Sequence, residues 1–206
     1  AIRDQALCAS GLLVEKIGGP SVMSSLPEGL WKELGAADFT PGRGEDLYRR
    51  SLYTFWKRTV APPVMAAFDA AGRETCSVRE TRTNTPLQAL ALLNEVTFVE
   101  AARALAQRVL READPNPEAR IVLAFRLVTG REPHPDELKV LLVGLERHRE
   151  EYRRDPEAAH ELATAGESTA VARPAGARPD VTLDPSEVAA YAAVASVILN
   201  LDEAVT

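Results

Sequence analysis

Two cysteines in 206 residues are too few for a disulfide framework, and Cys8 and Cys76 stand in neither CxxC nor CxxCH spacing, which excludes covalent haem attachment within this chain. Histidine is nearly as scarce. His134, His148 and His160 form no HExxH or other close ligand spacing, so the expected metal content is none. Aromatics make up only 5% of the chain, and Trp31, Tyr53, Phe55 and Trp56 read as core anchors before they read as a sugar-stacking platform. A basic excess is missing: the net charge of −6 gives no field for releasing counterions from phosphates, and nucleic acid is not an expected partner. Long apolar runs are missing too. Val188 to Leu201 spans about 14 residues, short of the ~18 needed to cross a bilayer. Ala1 to Leu13 has neither the basic start nor the cleavage site of a signal peptide. Its rough helical stripe of Ile2, Ala6, Leu7, Ala9 and Leu13, with no N-cap ahead, reads as the middle of a helix and hence as part of a larger protein.

What is present is enough to fold. Hydrophobic residues account for 46% of the chain, which can fill a sizeable core. The strongest local signal is a recurring helix start, a capping residue followed by Pro at the first helical position and an acid or amide within the first turn. It occurs at Thr85-Pro86, Asn116-Pro117, His134-Pro135, Asp155-Pro156 and Asp184-Pro185. The spacing predicts helices from Pro86 to about Arg111 with a bend near Asn94, from Glu118 to Val128 with Gly130 closing it, from Asp136 to about Arg153, from Pro156 to Ala165, and from Pro185 to about Leu199. On the third of these, Arg147, Arg149, Glu150, Glu151, Arg153 and Arg154 are expected to be solvated. The last is apolar around most of its circumference and must be surrounded by other helices. Between the last two helices, residues 167–183 have a Ser, Thr, Ala, Gly and Pro composition and are expected to form a flexible loop.

The first 83 residues differ in texture. Gly18-Gly19-Pro20, Pro27, Gly29, Pro41, Gly42 and Gly44 punctuate them as loops. Tyr48 to Arg58 is rich in aromatic residues and is expected as a strand by a narrow margin over a helix, with Thr75 to Glu80 as a short second strand. The fold class that follows is mainly α: an orthogonal or irregular helical bundle with a loop-rich N-terminal third and at most a small two-stranded β element. Residues 1–83 are expected to pack on a helical body of residues 84–206, making one domain overall.

Several motifs then stand in a fixed order: Arg49-Arg-Ser-Leu-Tyr-Thr-Phe-Trp-Lys-Arg58, Phe68-Asp69, Arg73-Glu-Thr-Cys-Ser-Val-Arg79, Arg82-Thr-Asn-Thr-Pro-Leu-Gln-Ala-Leu90 and Asn200-Leu-Asp-Glu203. Together they resemble the planctomycete-specific C-terminal domain of unknown function found in large proteins that also carry a planctomycete cytochrome c-like domain. The resemblance covers nearly the whole chain. It implies a parent polypeptide several times longer, a periplasmic or other extracytoplasmic location, upstream domains of the same polypeptide as partners, and any haem chemistry lying upstream rather than in this chain. It implies no activity and transfers no catalytic residue.

The segment from Arg49 to Asn94 gathers the unusual polar residues. Arg50, Arg79, Arg82, Asn84, Gln88 and Asp69 are the candidate ligand-binding set, because guanidinium forks and the N-terminus of the helix at Pro86 suit a carboxylate, a sulfate or an acidic or sulfated saccharide. The competing reading has the same arginines pairing with acids and backbone carbonyls to pin irregular loops. Cys76 between Arg73 and Arg79 reads as an inert thiol, and Asp136-Glu137 and Asp202-Glu203 read as helix-end residues rather than an acid and base pair. No nucleophile, base and orienter constellation is visible, so no catalytic role is assigned. The expected function is a non-catalytic helical module of a larger exported protein that packs against upstream domains and presents the Arg-rich segment to an anionic ligand. The alternative is one wall of the active site of an extracytoplasmic, polysaccharide-acting or haem-linked enzyme.

Overall fold

A computed structural model describes residues 1–24, 40, 42–57, 61–71, 83, 85–168 and 183–205. Nine α-helices lie among them: α1 Ile2–Ser10, α2 Pro63–Ala67, α3 Pro86–Asn94, α4 Val96–Glu112, α5 Pro117–Thr129, α6 Pro135–Arg154, α7 Pro156–Thr164, α8 Pro185–Leu199 and α9 Asp202–Val205. The chain is mainly α, with isolated bridges in place of any sheet among the described residues. No described helix is long and apolar enough to cross a membrane.

All five capping residues followed by Pro open a helix. Asn116, Asp155 and Asp184 each accept a hydrogen bond from a backbone N–H in the first turn, the arrangement that satisfies donors a helix start leaves orphaned. Thr85 and Gln88 form a complete capping box: Gln88 N donates to Thr85 Oγ1 at 3.3 Å and Thr85 N donates to Gln88 Oε1 at 3.0 Å. The expected bend near Asn94 is a full break. Asn94 Nδ2 donates to Leu90 O at 2.9 Å, and Glu95, extended at φ −74° and ψ 134°, accepts from Thr97 N and Oγ1, so α3 ends and α4 restarts.

Helix α8 is the centre of the molecule, packed against α4, α6 and α7. Ala101, Ala102 and Ala106 on α4 and Ala190, Ala192 and Ala195 on α8 lie buried in one core cluster, small side chains on two helices that pack together. Phe98, Leu105, Ile121, Phe125, Leu145 and Ile198 fill the core around them. Each such side chain contributes about 1.5–3 kcal/mol when fully buried. Helix α1 packs on α4 from the other side, its Leu7 meeting Leu12, Tyr48 and Ala104.

The expected strand at Tyr48–Arg58 is corrected. Gly44–Tyr48 and Ser51–Tyr53 are 3₁₀ turns, and the extended residue after each makes a single parallel bridge, Arg49 with Val14 and Thr54 with Val22. The physical reason is that the aromatics point to different tasks: Tyr48 enters the core, while Tyr53 stacks under Arg49 and leaves no continuous pleated face. The second strand expected at Thr75–Glu80 lies outside the described residues. Helix α2, with Pro63 at its first position, was not foreseen. Arg149 is also corrected: it is not solvated but shielded between Glu146, Glu187 and the Tyr191 ring.

Candidate functional site

The first turn of α1, the Ser51–Leu52 turn, Trp56, α2 with its tail and the start of α3 surround a cleft of about 640 Å³. Its polar lining includes Arg3, Asp4, Gln5, Ser51, Asp69, Thr83 and Gln88, and its apolar lining includes Ile2, Leu52, Val64, Met65 and Phe68. Of the expected binding residues, the structure brings Asp69 and Gln88 together here. Arg50 is exposed next to Ser51 and makes no ion pair among the described residues. Arg79, Arg82 and Asn84 lie outside the described residues, as do Cys76 and Trp31.

Asp69 adopts a left-handed backbone at φ 53°, a conformation that Asp tolerates better than most residues. Its Oδ2 accepts from Thr83 N at 2.8 Å, Thr83 Oγ1 at 2.6 Å and Gln88 Nε2 at 3.4 Å. The Thr83 hydrogen bonds hold this carboxyl below the ordinary carboxylate range. Gln88 Nε2 also reaches Ala67 O at 2.9 Å. The chain therefore supplies its own anion beside the N-terminus of α3, where the dipole and free N–H groups would attract one.

The remaining polar lining is equally engaged. Asp4 Oδ1 accepts from Ser51 N at 2.8 Å and Ser51 Oγ at 2.6 Å, and Arg3 donates to Arg49 O at 2.9 Å and to Leu47 O. Burial pulls the Arg3 guanidinium below its ordinary pKa, against the opposing pull of Asp4 and Glu95. Arg49 is 3% exposed and donates to the carbonyls of Lys16, Gly18 and Pro20, with the Tyr53 ring 3.9 Å from its guanidinium carbon. Tyr53 OH accepts from Gly18 N at 2.8 Å, so one arginine and one tyrosine staple the whole 16–20 loop.

A second polar cluster escaped sequence reasoning. Glu100 and Arg103, both 4% exposed, lie on the buried side of α4. Glu100 Oε1 accepts from Tyr48 OH at 2.8 Å and Ser168 N at 2.6 Å, and Arg103 donates to Ser168 O at 3.0 Å and to Ser168 Oγ. Burial, then the bond to Glu100, pushes the Tyr48 phenol well above its ordinary pKa. The signal was legible in principle, since Glu100 and Arg103 interrupt the apolar run Val96–Val109 on the face that packs. The acidic pairs stand at helix starts. Glu137 and Glu203 both grip Arg131, at 2.8 and 2.6 Å. Among the described residues no group of three His, Cys, Asp or Glu side chains is placed to hold a metal.

Ten residues are exposed large hydrophobics among the described ones, and none belongs to α1. Three lie on α3: Leu87 at 62%, Leu90 at 57% and Leu93 at 49%, with Val96 next in sequence at 53%. The sequence of α3, Pro86–Asn94, holds no charged residue.

One family model matches the chain, over residues 1–144, and is described as PSD1: protein of unknown function (DUF1553). No curated protein and no solved structure matches.

Proposed function

The chain belongs to the PSD1 family, and on that premise we propose that it is a non-catalytic helical module which packs against other domains of a larger exported polypeptide. The observation that carries this reading is the leucine face of α3. Leu87, Leu90 and Leu93 stand bare on a helix without charge, beside a cleft whose polar groups are already occupied in holding loops. A contiguous apolar face of this kind marks an interaction surface. What the cleft and α3 together offer a partner is chiefly apolar, which suits the side chains of a neighbouring domain better than a sugar acid. Extracytoplasmic location and haem chemistry in an upstream domain belong to this reading through the resemblance.

Leu90→Asp tests it. In the isolated chain the change falls on an exposed side chain and should alter stability by less than about 0.5 kcal/mol. In the parent polypeptide it should uncouple the module, seen as a separate melting transition by calorimetry. An unchanged single transition in the parent would defeat the proposal. Thermal stabilisation of the chain by sulfated oligosaccharides that vanishes in Arg50→Ala would instead favour the reading as a ligand-binding wall.

A further inference from the structure

Helix α6 carries a glycine for which its own fold has no use. Gly144 sits mid-helix, and a methyl group built on its Cα would meet nothing within 4 Å, so alanine would fit and would be the better helix former. On the same outer face Val140 is 70% and Val143 66% exposed, while the opposite face buries Leu141 and Leu145. Two bare valines beside a residue without a side chain are what close approach by another helix requires.

We infer that this face of α6 is a seam between two copies of the chain, packed antiparallel about a two-fold axis through the Val140–Gly144 stretch. Charge selects both the partner and its direction. In heptad terms Asp136, Val140, Val143 and Arg147 occupy the seam, and Lys139 and Glu146 share one flank. An antiparallel pair sets Val140 against Val143 of the second copy, Asp136 against its Arg147 and Lys139 against its Glu146, each contact made twice by the symmetry. A parallel pair would set Asp136 against Asp136 and Arg147 against Arg147. Asp136, Lys139, Glu146 and Arg147 are all exposed. Arg147 and Glu146 currently hold Glu151 and Arg149, surface pairs that exchange partners at little cost. Two valines per copy give a small apolar contribution against the ordering cost of association, so the dimer is weak, with a Kd on the order of 0.1–1 mM.

Sedimentation equilibrium on the 206-residue chain tests the seam. The wild type should show a monomer–dimer equilibrium in that range, and Val143→Asp should weaken it at least about tenfold. Lys139→Glu and Glu146→Lys should each weaken association alone, yet an equimolar mixture of the two variants should restore it, because every mixed interface pairs opposite charges at both positions. Gly144→Ala should raise the melting temperature and weaken the dimer. Circular dichroism melts check each fold, and Val140→Ser replaces Val143→Asp if that variant melts early. A chain that stays monomeric to its solubility limit, a dimer indifferent to both valine substitutions, or a mixture no tighter than its components would overturn the inference.

Discussion

At Gly166 the backbone takes φ 90°, and a Cβ there would stand 2.2 Å from the Cδ of buried Glu100. Only glycine satisfies both demands, and the latch of Glu100 and Arg103 on Ser168 depends on it. Gly166→Ala should destabilise the chain by about 2–4 kcal/mol in urea titrations; a loss below about 0.5 kcal/mol would show that the latch is dispensable. Legibility at this scale was uneven. The demand on Gly166 is not legible locally, because it comes from Glu100, 66 positions away, and no local pattern encodes that contact. Asp69 and Gln88 were selected from sequence as ligand-binding candidates, and the structure engages both with each other and with Thr83. Arg49 belongs to the segment whose arginines are expected to pin irregular loops through backbone carbonyls, and it does so for the 16–20 loop through three of them.

Elements were more legible than contacts, and the caps explain why. A cap, a proline and a first-turn acid act within four residues, so Asn116-Pro117 and Asp184-Pro185 fix helix starts without help from the rest of the chain. Tyr48–Lys57 misled because its aromatics are drawn apart by tertiary partners, Glu100 for Tyr48 and Arg49 for Tyr53. The junction of α5, α6 and α9 shows how such elements are tied. Arg131 holds Glu137 and Glu203 in paired hydrogen bonds and lies over the Phe125 ring at 4.8 Å. The bond to Arg131, reinforced by His134 N, lowers the Glu137 carboxyl to about 2. A depressed carboxyl stabilises the fold above its unfolded value of ~4.3, and that contribution fades as pH falls toward about 2. The stability difference between wild type and Glu137→Gln should therefore be constant above about pH 5 and shrink below it. A difference that does not vary between pH 6 and pH 3 would mean that the clamp contributes nothing.

On the scale of the whole molecule, the core is completed late in the chain. The family match ends at residue 144, within α6, yet α8 supplies the side chains that cover α4 and α6. A chain cut after residue 144 should bare Phe98, Leu105 and Val109 and lose its cooperative thermal transition. A sharp melt in that fragment would show that residues 145–206 are an addition to an already complete fold. The helical class and the surrounded helix at Pro185–Leu199 follow from periodicity, whereas the exposure of the α3 leucines does not, because sequence alone does not tell a covered leucine from a bare one. That face carries the account of function. The most direct test is amide hydrogen exchange at Leu87–Leu93, followed by mass spectrometry in the isolated chain and in the parent polypeptide. Docking predicts exchange at least about tenfold slower in the parent, with the buried stretch of α5 from Ile121 to Phe125 as an internal comparison. Equal rates in the two would contradict it.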